Sequence, residues 1–196
     1  MAMLNQLGKA CVIGALLLAT GSVATHAQPS DDAQNNGHEF DFGIGAFKTH
    51  IRRLEHPLSG SHAWAEWNGT VVTRQLRDGG GNLEELSAGN ATEHLQGITL
   101  RLYNAKTHEW NLYWASKDDG TIGKPMVGEF KQGRGVFYNK DIIDGHAVLV
   151  RDIYSGATAN TYHFEEAYSA DAGKTWETNF MADLTRETSS SAMVAR

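Results

Sequence analysis

The chain has 196 residues, a formal net charge of −6 and a single cysteine. An acidic chain repels phosphate backbones, so nucleic acid is not expected as a partner. One cysteine excludes an internal disulfide framework and a paired-thiol centre.

The first 27 residues have the layout of a secretory signal peptide. Lys9 supplies a positive start, Cys11–Ala24 is apolar but too short to span a bilayer comfortably, and Ala27 is a small residue suited to cleavage before Gln28. Cleavage would leave 169 residues, take the net charge to −7 and remove the cysteine. The expected compartment is periplasmic or secreted, with no membrane contact after cleavage. Residues 28–37 (QPSDDAQNNG) form a polar, aperiodic leader, 38–187 one folded domain, and 188–196 a frayed tail.

Within 38–187 the texture is uniform: short alternating runs between turn signals. Ala46–Leu54 follows Gly43 and Gly45, and Trp64–Leu76 runs into a glycine-rich loop at 79–81. Leu83–Ser87 is short. Gln96–Tyr103 and Glu109–Ser116 flank an Asn104-containing turn. Val127–Phe130 and Gly135–Tyr138 flank Gln132-Gly133, and Asp144-Gly145 leads into His146–Tyr154. Thr161–Tyr168 and Lys174–Thr185 end the series. These make nine or ten strands with no substantial helix. Short connections force antiparallel neighbours, and closing the sheet removes its exposed edges. The expected fold is all-β, an antiparallel up-and-down barrel, in preference to a sandwich.

One motif suggests a different answer. Ser169, Asp171, Gly173, Thr175 and Trp176 spell the Asp-box pattern found in sialidase-type propellers. A propeller needs several four-stranded blades, and this chain has strands for about two and one copy of the motif. The same residues suit a hairpin turn, with the Asp171 carboxylate accepting from turn amides. The motif is therefore read as structural.

In a closed barrel one side-chain parity faces the lumen. The apolar stripes select Phe47, Thr49, Ile51 and Arg53 in the first strand, and Ile98, Leu100 and Leu102 in Gln96–Tyr103. They select Trp110, Leu112 and Trp114 in the next strand, Tyr162, Phe164, Glu166 and Tyr168 later, and Trp176, Thr178, Phe180 and Ala182 last. For His146–Tyr154 both parities are equally apolar, so a His146, Asp152, Tyr154 acid–base set stays open there, with Arg151 read as part of a surface or rim pair. The candidate ligand-binding residues are Arg53, Trp110, Trp114, Tyr162, Glu166 and Trp176. Aromatic walls with a few polar groups suit a small apolar or aromatic ligand. The same residues also suit a filled core in which the rings pack against one another.

No cofactor is expected, since no P-loop, dinucleotide fingerprint or nucleophile elbow occurs. The nine histidines include His50, His56 and His62 at six-residue spacing, which is no metal-ligand pattern. No catalytic residue is assigned, and the oligomeric state is left open.

The segments FDFGIGAFKTHIRRL (40–54), WAEWNGT (64–70), GNLEEL (81–86), GITLRLYN (97–104), WNLYWAS (110–116), VGEF (127–130), GRGVFY (133–138) and EAYSADAGKTWETNF (166–180) together resemble a bacterial domain-of-unknown-function family with a calycin-like, or lipocalin-like, barrel. The resemblance covers roughly 38–187. It implies the barrel fold and lends no residue a role. This chain departs from the pattern at Phe47, where the family pattern has Trp, and in its exported leader. The expectation is an exported calycin-like barrel that binds a small apolar or aromatic molecule. The alternatives are an isomerase, cyclase or lyase of the same fold using lumen Glu, Arg and Tyr groups, and a structural module without ligand.

Overall fold

The computed structural model describes residues 36–77 and 79–188. The expected signal peptide, most of the leader and the end of the tail lie outside the described residues. Ten strands follow in chain order: β1 (Gly45–Leu54), β2 (Trp64–Gln75), β3 (Gly81–Gly89), β4 (His94–Asn104), β5 (Glu109–Ser116), β6 (Met126–Lys131), β7 (Arg134–Ile143), β8 (His146–Ser155), β9 (Thr161–Ser169) and β10 (Glu177–Arg186). Each pairs antiparallel with its neighbours in sequence, and β1 pairs with β10 to close an up-and-down barrel. The expected all-β barrel is the fold.

Local chemistry explains the meander. Gln132-Gly133 and Asp144-Gly145 both have positive φ at each central residue. That geometry matches the strand twist and makes two-residue hairpins between β6 and β7 and between β7 and β8. The turn between β9 and β10 is the Asp-box segment. Asp171 Oδ1 accepts from the amides of Lys174 and Thr175 at 3.0 and 2.9 Å and from the Ser169 hydroxyl at 2.8 Å, while Thr175 Oγ1 donates to Asp171 Oδ2 at 2.7 Å. These bonds, led by those from Thr175, hold the Asp171 carboxyl down at about 2. The motif is a hairpin cap in this barrel.

Two parity expectations are corrected. In β4 the inward face carries Leu95, Thr99, Arg101 and Tyr103, not Ile98, Leu100 and Leu102. Arg101 is buried, whereas Ile98 and Leu102 are exposed. The register explains it: Arg101 lies opposite Asn82 and Leu112, both buried. The apolar stripe of β4 meets Leu83 and Tyr113 on the outside instead. In β10 the pairing with β9 slips between Thr178 and Phe180. A bulge adds one residue and reverses parity beyond it. Phe180 and Ala182 therefore face inward as expected, while Trp176 and Thr178 face outward. Thr178 donates to Glu165 at 3.2 Å, and Trp176 lies against Arg151 and donates through Nε1 to the Gly173 carbonyl at 3.1 Å.

The segment before β1 closes one end of the barrel. A 3-10 turn (Asp41–Gly43) follows Phe40, whose ring enters the barrel. It contacts Phe130 at 4.8 Å, Trp110 and Tyr154 at 5.0 Å and Phe137 at 5.7 Å, three of the four edge-on. Edge-to-face contacts suit the ring quadrupoles and add to the burial of each ring. Arg186 clamps the segment from β10, donating to the carbonyls of Phe42, Ile44 and Ala159 at 2.6–2.8 Å. Glu39 accepts from Trp110 Nε1 at 2.9 Å. Trp110 thus belongs to the packed plug.

Candidate functional site

Beyond the plug the barrel is hollow. A cavity of about 680 Å³ opens at the opposite end, where its lining residues Arg53, Glu93, His94 and Asp118 are exposed. Its walls are Ile51, Trp67, Val71, Leu86, Leu112, Trp114, Phe164, Tyr168 and Phe180. Gly97 makes room for Trp114: a Cβ there would lie 2.5 Å from the indole, so a larger residue on β4 would displace the ring from the wall.

The floor carries a buried ion pair. Arg101 donates to Glu84 at 2.6 Å, to Asn82 at 3.0 Å and to the Tyr154 hydroxyl at 3.3 Å, and its guanidinium lies 4.8 Å over the Phe40 ring. Burial opposes the Arg101 charge most strongly, but Glu84, Tyr154 and Tyr162 together outweigh it and the guanidinium stays protonated. Burial likewise pushes the Tyr154 hydroxyl above its ordinary range. The geometry is that of a paired, multiply bonded buried charge, which survives only while every partner is present.

Higher in the lumen, β8 and β9 set Asp152 directly opposite Glu166. Both line the cavity. Burial, then the neighbouring Glu166, pushes the Asp152 carboxyl well above the usual carboxylate range, against the pull of Arg101. Burial raises Glu166 as well, while a hydrogen bond from Tyr168 and the charge of Arg53 oppose the rise. Burial first and Glu166 second push up the Tyr168 hydroxyl.

Three buried polar atoms of this lining have no hydrogen-bond partner among the described residues: Thr49 Oγ1, Trp67 Nε1 and Asp152 Oδ1. Nearly all buried polar atoms in folded proteins are bonded. Here three lack protein partners around one cavity.

Of the six candidate residues, the structure gathers Arg53, Trp114, Tyr162 and Glu166 on the cavity lining. Arg53 stands exposed at the mouth, 5.5 Å over the Trp67 ring. Tyr162 is on the floor, packed against Phe42 and Phe47. Trp110 is in the plug and Trp176 is outside the barrel. The undecided parity of β8 is resolved: Asp152 and Tyr154 face inward, while His146 is exposed and does not line the cavity. Arg151, on the outer face, pairs with Glu165 at 3.8 Å.

Sequence reasoning placed Thr49 on the inward face and left Asp152 open, but missed Arg101, Glu84 and Trp67. A signal existed in β4, where Gly97 and Thr99 are small and share the Arg101 face. A strand wall beside a large indole needs such space, whereas the Ile98–Leu102 stripe offers none.

Among the described residues no group of three or more His, Cys, Asp or Glu side chains is arranged to hold a metal ion. His50 and His163 instead bond Glu66 and Asp183 at 3.3 and 2.8 Å.

No family model and no curated protein matches the chain. Among solved structures, an S-type phycobiliprotein lyase from Guillardia theta has a similar fold, with a TM-score of 0.56 and 13% sequence identity over 83% of this chain and 99% of that one. At that identity the likeness concerns the fold alone.

Proposed function

We propose that this chain is an exported calycin-like barrel whose lumen binds a small ligand with an apolar or aromatic body. The observation that carries the reading is the cavity of about 680 Å³, lined by apolar and aromatic side chains and by Thr49, Trp67 and Asp152, each of which holds a buried polar atom without a protein partner among the described residues. Apolar walls with a few convergent polar groups are the usual makeup of small-molecule sites. The motif resemblance to the domain-of-unknown-function family supports the calycin-like assignment. The layout of the first 27 residues supports export, and N-terminal sequencing of protein recovered outside the cytoplasm is expected to start near Gln28.

A neutral apolar fluorophore, N-phenylnaphthylamine, tests the binding reading. It is expected to quench Trp67 and Trp114 and to raise the melting temperature with its concentration. Binding at a hundredfold excess over Kd is worth about 2.7 kcal/mol. A Trp114→Phe variant should lose much of the quenching. If the probe neither quenches nor stabilises at any soluble concentration, the barrel is a structural module.

A second reading rests on the facing carboxyls Asp152 and Glu166, whose raised proton affinities suit acid–base work. The likeness to a protein named a lyase keeps an isomerase, cyclase or lyase activity in view. Turnover of a bound compound, lowered in Asp152→Asn and in Glu166→Gln far beyond any loss of binding, would establish it.

A further inference from the structure

We infer that the lumen selects a cationic ligand, one carrying an ammonium or amidinium group on an apolar body, with the positive group seated at Asp152 and Glu166. The inference rests on the lumen-binding reading above and adds the charge class of the ligand.

The imbalance of charge in the cavity is the first ground. Five carboxyl side chains line it: Glu93 and Asp118 at the exposed mouth, and Glu84, Asp152 and Glu166 deeper in the lumen. Arg53 is the arginine on the lining, and it stands exposed at the mouth. Arg101 is committed to Glu84, Asn82 and Tyr154 on the floor.

The unpartnered Asp152 is the second ground. Asp152 is only 8% exposed, lines the cavity, and its Oδ1 accepts no hydrogen bond among the described residues. Glu84, by contrast, has its guanidinium. The register places Glu166 directly across from Asp152, so the nearest side chain on the neighbouring strand is another carboxyl. A buried carboxyl without a partner is costly, and a second acid beside it raises the cost.

The groups facing this pair do not remove the deficit. Arg101 faces Asp152 from the floor. Arg53, Asp141 and Tyr168 face Glu166 from β1, β7 and β9 itself. Counting Glu84 and Asp141, four acids meet two guanidiniums, one of them already bonded to Glu84. A ligand ammonium answers both demands at once: its N–H groups donate to the carboxylates of the Asp152–Glu166 pair, and its charge offsets them. Trp114 on the same lining adds an aromatic ring, whose face attracts cations and repels anions, while Trp67 already carries Arg53 over its ring.

Three probes with one apolar body separate the charge classes: naphthylbutylamine, naphthylbutanol and naphthylbutanoic acid, titrated calorimetrically into the wild-type barrel at neutral pH. The amine is expected to bind at least tenfold more tightly than the alcohol, with the acid weakest. Asp152→Asn should erase most of the amine's advantage over the alcohol, read as the ratio of the two affinities. Glu166→Gln, as an independent variant, should narrow the same gap. Equal binding of amine and alcohol by the wild type, or tighter binding of the acid, overturns the charge inference while leaving the lumen reading intact. Failure of all three probes to bind overturns both. Because the wild-type ranking alone decides, a variant that does not fold removes no outcome.

Discussion

The two ends of the barrel solve opposite problems. At the closed end, Phe40 is ringed by Trp110, Phe130, Phe137 and Tyr154, and the buried Arg101 has Glu84, Asn82 and Tyr154 as partners. At the open end, wall rings face a cavity, and Thr49, Trp67 and Asp152 hold buried polar atoms without protein partners. The filled barrel and the hollow one, alternatives at the level of sequence, coexist in one molecule. The difference teaches that one barrel can pack its closed end and leave its open end hollow. Bonded groups stabilise the fold; of the buried polar atoms without a protein partner among the described residues, Thr49 Oγ1, Trp67 Nε1 and Asp152 Oδ1 belong to cavity-lining residues, while Arg101 Nε and Thr73 Oγ1 do not.

Variants at the two ends should therefore behave differently. The largest losses belong to the closed end. Arg101→Met leaves Glu84 buried and unpaired, and loss of one partner of a buried pair costs about 3–5 kcal/mol. Denaturant unfolding should show it as a lower midpoint, and adding Glu84→Leu should recover much of the loss. Phe40→Ala empties the plug and is expected to cost about 3–5 kcal/mol as a core truncation. A loss below about 1 kcal/mol would mean that the plug is not part of the cooperative core.

Wall truncation should matter less. Trp114→Ala removes a half-buried ring that already borders open space, so the expected loss is about 1–2 kcal/mol. Its larger effect should be on binding of the neutral fluorophore. A loss as large as that of Phe40→Ala would erase the contrast between the two ends.

Asp152→Asn should do the reverse and stabilise the ligand-free protein. The Asp152 carboxyl is raised in the folded state by burial and by Glu166, so the folded protein holds a proton that the unfolded chain releases. Wild-type stability then falls as pH rises above about 4, the unfolded value, towards the folded one. Asparagine has no such slope. The variant's advantage is expected to be near zero at pH 4 and to grow to about 0.5–2 kcal/mol at neutral pH. Thermal melts across pH check it, and an advantage that shrinks with rising pH would show that Asp152 is ionised and well paired.

The smallest effect is expected at the Asp-box turn. Asp171 is held down at about 2 by bonds from Thr175, Ser169 and Lys174, so the turn keeps this support above the unfolded carboxylate value and loses it as pH falls towards 2. Asp171→Ala should loosen amide protection in the β9–β10 hairpin and leave probe binding unchanged. Altered ligand affinity in that variant would connect the turn to the lumen.

The alternation of apolar residues and the turn chemistry of pairs such as Asp144-Gly145 were enough to determine strands, antiparallel order and a closed barrel. These are local properties: a period of two and a left-handed turn pair are readable within a few residues. The inward faces of β1, β5 and β9 were legible for the same reason, and they placed Trp114, Tyr162 and Glu166 on the lining. Only the tertiary structure decided the rest. The bulge between Thr178 and Phe180 turned Trp176 outward, and a bulge depends on the neighbouring strand. In β4 the register with Asn82 and Leu112 drew Arg101 inside and left Ile98 and Leu102 outside. A buried arginine is stable only with Glu84, Asn82 and Tyr154 around it, and those partners come from β3 and β8, 17 to 53 residues away in sequence. Hydropathy along one strand cannot register a partner on another, so the polar floor and the Asp152–Glu166 pair emerge only when the barrel closes.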